Sequence, residues 1–177
     1  MKKTIKSYWT IFAIAAVIVA LDQWTKWWVR TNIPAGETWL PDSLQWLSPY
    51  ARIVHWYNRG AAFGMFQEGN MVFTVLAFIV IVAIIYYYPQ ISSADWPLRL
   101  AMSMQMGGAI GNLIDRLTVG RVTDFISIGK FPVFNVADSS ISIGCVVLVL
   151  GVWWQKNETK KEKMQAASPD QPSEAAS

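Results

Sequence analysis

Charge, histidine and cysteine are all scarce in this chain of 177 residues. Aspartate, glutamate, lysine and arginine make up 15% of it and 53% is hydrophobic, against about 25% charged and about 45–50% apolar in soluble domains. With a mean hydropathy of +0.28, so little charge argues against an ordinary water-facing surface and for a membrane protein. The single cysteine, Cys145, excludes a disulfide within the chain and lies in an apolar run, where packing is its expected role. One histidine, His55, beside one cysteine gives no ligand spacing for zinc, and no metal or other cofactor is expected. The net charge of +3 comes mostly from the ends, Lys2, Lys3 and Lys6 and then Lys156, Lys160, Lys161 and Lys163. Nucleic acid, which would require a basic face with stacking aromatics, is not an expected partner. No internal repeat is present.

Long apolar runs are what the chain has in abundance. A spanning helix needs about 20 mostly apolar residues, and four stretches meet or approach that: about 8–28, 71–88, 98–117 and 134–154. The second is uncharged and ends at Pro89, while the third is weaker, with Met, Gly and Ala in place of branched residues. Many of the ten tryptophans flank these runs, as in an interfacial aromatic belt. The first run continues into DQWTKWWVR without a small-residue cleavage site, so a retained span is expected rather than a removed leader. Terminal lysines place both ends in the cytoplasm, and two cytoplasmic ends require an even number of spans. The expected fold is therefore an all-α integral membrane protein of four transmembrane helices in one domain, 1–156. A tail, 157–177, charged and then rich in Ser, Pro, Ala and Gln, is expected to be disordered.

In that topology the C-terminal ends of spans one and three and the N-terminal end of span four meet at the outer leaflet. The polar residues within spans gather there: Asp22 and Lys26, then Asn112, Asp115 and Arg116, then Asn135 and Asp138. Ionisable groups at membrane depth mark functional sites. Asp22 and Lys26, four apart, are expected to form an ion pair, and Asp115 beside Arg116 an electrostatic brace. Gly107 and Gly111 form a GxxxG that permits close helix contact. The first long loop, about 29–70, contains the strand-like ARIVHWYN, and the later loop carries Asp124 in a similar alternation. Asp124 is the acid least explained by a neighbour, and Asp138 lies close to it if the intervening hairpin folds back. Two carboxylates at close range hold one proton between them and supply an acid and a base together. A Ser/Lys pair of Lys26 with Ser139 or Ser140, a triad built on His55, a cation site and an ion path are the competing chemistries.

Taken together, DQWTK at Asp22 to Lys26, NRGAAF at Asn58 to Phe63, GGAIGNLIDR at Gly107 to Arg116, VTDF at Val122 to Phe125 and FNVADSS at Phe134 to Ser140 resemble the ordered blocks of the bacterial lipoprotein signal peptidases, the type II signal peptidases. The resemblance implies an aspartic peptidase of the bacterial cytoplasmic membrane, with its site at the extracytoplasmic face. Such an enzyme cuts the signal peptide from diacylglyceryl-modified prolipoproteins just before the modified cysteine. It implies Asp124 and Asp138 as the catalytic pair, with Asp22, Lys26, Asn58, Gly60, Asn112, Asp115, Arg116 and Asn135 supporting them or touching substrate. It also implies a small extracytoplasmic β-sheet, formed by the first loop, that cradles the substrate. Membrane lipids are the other expected partners, and a monomer is the expected state. Phe63, Phe66 and Val136 are expected to line the cavity for the acyl chains.

Overall fold

The structure, a computed structural model, describes residues 2–60 and 69–166. Four α-helices carry most of it: α1 (Lys2–Asn32), α2 (Asn70–Tyr87), α3 (Trp96–Thr118) and α4 (Val136–Ala166). A three-stranded antiparallel sheet is built from β1 (Thr38–Trp39), β2 (Ala51–Asn58) and β3 (Val122–Ile128), in the order β1-β2-β3.

Among the described residues three helical segments are long and apolar enough to cross a membrane: Tyr8–Asn32, Asn70–Gln90 and Val136–Glu158. Their outward faces bear Trp24, Val72, Ile79, Val82, Val146 and Val149 in exposed positions, a pattern that suits lipid rather than water. The third expected span, α3, falls outside that group because it is the central helix. It packs on α1, α2 and α4, so small residues and polar groups replace the branched residues that lipid would select. Gly107 and Gly108 show how close this packing is. A Cβ on the first would lie 2.8 Å from Ile18 Cβ of α1, and one on the second 2.5 Å from the Ala137 carbonyl oxygen of α4.

Two expectations need correction. The sheet does not come from the first loop alone, because its third strand, β3, is supplied by the loop between α3 and α4 and carries Asp124. The segment 157–166, expected to be disordered, continues α4; its Glu, Lys, Met, Gln and Ala are good helix formers uninterrupted by Gly or Pro. Residues 167–177 lie outside the described residues.

The sheet is fastened to the bundle where the site lies. Val29 and Ile33 near the end of α1 form a buried cluster with Phe125 of β3. Val136 packs against this cluster and does not line the cavity described below, contrary to expectation. The end of α3 turns through Gly120, whose φ of +75° suits glycine, into β3. The chain then doubles back so that Phe134 pairs with Ile126 in an antiparallel bridge. That bridge delivers the first turn of α4 beside Asp124.

A candidate active site at the helix ends

Asn135 begins α4 as its cap. Its side-chain Oδ1 accepts the Asp138 backbone N–H at 2.9 Å, and Asp138 Oδ2 accepts the Asn135 N–H at 3.2 Å. This is a capping box with aspartate in the usual glutamate position. The next amide, of Ala137, donates to Asp22 Oδ1 of α1 at 2.9 Å. The aspartate at the head of this apolar helix, Asp138, is therefore held by the backbone amide of the helix cap, and the helix start is tied to α1 through Asp22.

Around this cap the polar residues form one network. Asn135 Nδ2 donates to Asp124 Oδ1 at 2.7 Å, and Asn58 Nδ2 donates to Asp124 Oδ2 at 3.1 Å. The Gly60 amide donates to Asn58 Oδ1 at 2.9 Å, which turns the Asn58 carboxamide toward Asp124. Asn112 Nδ2 donates to Asp138 Oδ1 at 2.8 Å, while Asn112 Oδ1 accepts from Lys26 Nζ at 2.9 Å and Asn135 Nδ2 at 3.1 Å. Lys26, fully buried, also pairs with Asp22 at 2.9 Å and Asp115 at 3.3 Å. Asp115 Oδ2 in turn accepts the Thr123 amide at 2.9 Å, fixing the start of β3.

Asp124 and Asp138 both line a cavity of about 800 Å³, together with Asn58, Asn112, Arg116 and Phe131. Asp124, on β3 and outside the helices, is 1% exposed. Burial, reinforced by the nearby charge of Asp138, raises its carboxyl from an ordinary 3.8 to about 7 against the opposing hydrogen bonds from Asn58 and Asn135.

The expected Asp22 and Lys26 pair is present, whereas Asp115 and Arg116 make no direct ion pair and interact only at longer range. Neighbouring helix positions point about 100° apart. Asp115 faces α1 and β3, where Lys26 and Arg30 reach it, while Arg116 faces the cavity with its guanidinium 5.6 Å from the Phe73 ring centroid. Among the described residues the buried Nε of Arg116 has no hydrogen-bond partner. The competing Ser/Lys pair is not assembled. Ser139 Oγ donates to the Asn135 carbonyl at 2.9 Å and Ser140 Oγ to the Met104 carbonyl at 2.7 Å, whereas Lys26 is held by Asp22, Asp115 and Asn112. His55 lies away from the cavity, with Nδ1 2.6 Å from the Ile33 carbonyl oxygen. Among the described residues no cluster of three or more His, Cys, Asp and Glu side chains is arranged to hold a metal ion. Phe63 and Phe66 lie outside the described residues.

Two further members of the network, Arg30 and Thr123, are not among the residues expected from the sequence. Arg30 Nη1 bridges Asp115 Oδ1 at 3.3 Å and Thr123 Oγ1 at 3.1 Å. The signal was available: Asp22, Lys26 and Arg30 recur every four residues and so form one stripe on α1.

Gly111 closes the packing over this network, since a Cβ there would lie 2.6 Å from Asp22 Oδ2 and 3.3 Å from Ala137 Cβ. Gly111→Ala is expected to push the Asp22 carboxylate off the α4 amide. The cost should be about 1–3 kcal/mol, read as a lowered unfolding midpoint in detergent together with reduced activity.

The fold places the chain among membrane enzymes. Two solved structures, each described as a bacterial membrane enzyme, superpose with TM-scores of 0.73 and 0.71, at 27% and 30% identity. The first alignment covers 94% of both chains; the second covers 81% of this chain and 92% of the other. Residues 14–154 match the family described as Signal peptidase (SPase) II, and the chain belongs to that family. It is 38% identical over 157 residues to the lipoprotein signal peptidase of Halalkalibacterium halodurans, covering 86% of this chain and 97% of that one. It is 39% identical over 151 residues to that of Shouchella clausii, covering 85% and 97%. The chain is thus a multi-pass membrane protein of a protease family.

Proposed function

We propose that this protein is an intramembrane aspartic endopeptidase that removes the signal peptide from prolipoproteins, cutting immediately before a diacylglyceryl-modified cysteine. Asp124 and Asp138 are its catalytic pair. The observation that carries this reading is Asn135, which donates from its side chain to Asp124 and from its backbone to Asp138. One residue so holds two carboxylates against a single cavity.

The roles follow from the surroundings. Asp124, raised to about 7, is the acid. Asp138, which accepts N–H bonds from Asn112 and Asn135, is the base. Asp138 takes a proton from water as its oxygen adds to the scissile carbonyl carbon, and Asp124 gives its proton to the developing oxyanion. On collapse of the tetrahedral species, Asp138 passes the proton it holds to the leaving amine while a hydroxyl proton returns to Asp124. Arg116, which lines the cavity and whose buried Nε has no hydrogen-bond partner among the described residues, and Asn58 hold substrate backbone. Asp22, Lys26, Asn112, Asp115 and Asn135 keep the pair in position, and Gly60 orients Asn58.

The membrane setting completes the proposal. α3 is the fourth span, both termini lie in the cytoplasm, and the site is at the extracytoplasmic face of the bacterial cytoplasmic membrane. The domain is 1–156, with the remainder a cytoplasmic extension. Lipid chains of the substrate occupy the apolar part of the cavity, beside Phe73 and Leu76. A monomer suffices, because all the site residues come from one chain. Cleavage of a lipid-modified prolipoprotein by the purified protein, with the product mass locating the cut, tests the reading; a cut elsewhere, or none, overturns it.

The pH dependence supplies a sharper measure. Loss of the Asp124 proton removes the acid, so kcat/KM should fall above pH about 7. Stability moves in the same direction. The folded carboxyl binds a proton up to about 7 and the unfolded one only up to its ordinary 3.8, so the contribution of this group declines as pH rises between those values and levels off above them. Thermal unfolding across that range should lose this component of its slope in Asp124→Asn.

A further inference from the structure

The cavity does not end at the two aspartates. It is also lined by Gln105 and Ala109 of α3, Ser142 and Cys145 of α4, and Leu76 and Val80 of α2. At the upper end α3 meets α4 through Asn112 and Asp138; lower down they meet through Gln105, whose Nε2 lies 3.7 Å from Cys145 Sγ. A thiol sulfur is a weak acceptor, and the Gln105 carboxamide makes no other hydrogen bond among the described residues. Its stem packs against Gly144, since a Cβ there would lie 3.2 Å from Gln105 Cγ. A carboxamide held at mid-helix and facing an apolar groove implies a polar visitor.

The substrate brings one. A signal helix seated in the groove has to unwind to offer an extended peptide bond to the aspartates, and the last carbonyl groups of a helix then lack intrahelical partners. In lipid such groups are costly to leave unpaired. From Asn112 down to Gln105 the helix rises about 10 Å at about 1.5 Å per residue, a distance that about three extended residues cover at about 3.3 Å each.

Resting on the peptidase reading above, we propose that Gln105, with the exposed Ser142 that lines the same cavity, is a substrate-positioning site. It donates to backbone carbonyl oxygens at the frayed C-terminal turn of the signal helix and so sets how many residues run extended to the scissile bond.

The test uses the full-length protein in detergent and semisynthetic prolipoproteins in which single backbone amides, at the second to fifth peptide bonds before the cleaved one, are replaced by esters, whose carbonyls are weaker acceptors. Gln105→Leu should lower kcat/KM on the all-amide substrate about fivefold, carried by KM. One ester position should impair the wild type several-fold while adding nothing in Gln105→Leu, and Gln105→Met should behave as Gln105→Leu does, with thermal unfolding confirming that both are folded. Ester and side-chain effects that multiply at every position would make Gln105 a brace of the α3 and α4 contact and overturn the inference, as would wild-type kinetics in Gln105→Leu. A wild type that cleaves no prolipoprotein overturns the peptidase reading itself and this inference with it.

Discussion

Asp124→Asn and Asp138→Asn are each expected to lower kcat on a lipid-modified prolipoprotein by about 10³–10⁴-fold, within the range that loss of a positioned acid or base produces. Both variants should remain folded at a modest cost. At Asp124 the two oxygens accept from Asn135 and Asn58, and at Asp138 from Asn112 and Asn135. An asparagine at either place can present an oxygen to only one of these donors and sets its own amide against the other. Each substitution should therefore cost about 1 kcal/mol of stability, visible in thermal unfolding and far too little to account for the kinetic loss. Ser139→Ala separates this chemistry from nucleophilic catalysis and should lose less than tenfold, because its hydroxyl is spent on the Asn135 carbonyl. An inactive Ser139→Ala beside an active Asp124→Asn would reinstate the serine mechanism. Asp115→Asn should reduce activity through stability, since Asp115 contacts Lys26, Arg30 and the Thr123 amide and does not line the cavity.

The helices were legible in the sequence because lipid selects residue types over whole turns, and a run such as MVFTVLAFIVIVAIIYY leaves no other reading. The polar cluster was legible because each member interrupts such a run near one end. Long-range pairing carried less of a signal. Nothing in VTDFISI states that it pairs with ARIVHWYN across the intervening helices, with Trp56 opposite Asp124 and Asn58 opposite Val122. That register is set by the turn at Gly120 and by the Ile126 and Phe134 bridge, both tertiary events. The spacing of Asn112, Asp115 and Arg116 suggests one shared face, whereas the adjacent Asp115 and Arg116 turn toward different neighbours; the regular spacing by four that links Asp22, Lys26 and Arg30 is the better guide. Gln105 carries no signal in the sequence, because one amide in a run of Met, Gly and Ala acquires meaning only from the cavity it lines.

Lys26→Met is expected to be the most destabilising substitution in the helix-end network. The ammonium is fully buried and lies 2.9 Å from Asp22, 3.3 Å from Asp115 and 2.9 Å from the Asn112 carboxamide oxygen. Methionine matches its length and apolar stem, so the packing is nearly conserved and what is lost is charge. Two buried carboxylates are then left with reduced compensation, for which about 3–5 kcal/mol is the usual cost of breaking such a pair. Activity should fall with stability, because Asp22 anchors the Ala137 amide at the start of α4 and Asn112 holds Asp138. Lys26→Arg should fail as well, since a planar fork cannot take the place of a compact ammonium among three acceptors without moving α1 from α3. Removing a carboxylate together with the lysine distinguishes charge from packing. Lys26→Met with Asp22→Asn should recover part of the lost unfolding free energy, a coupling within the range of about 0.5–3 kcal/mol found for residues in contact. If the double variant were instead less stable by the full sum of the two single losses, the pair would contribute through packing, and the charge balance assigned to Lys26 would be wrong.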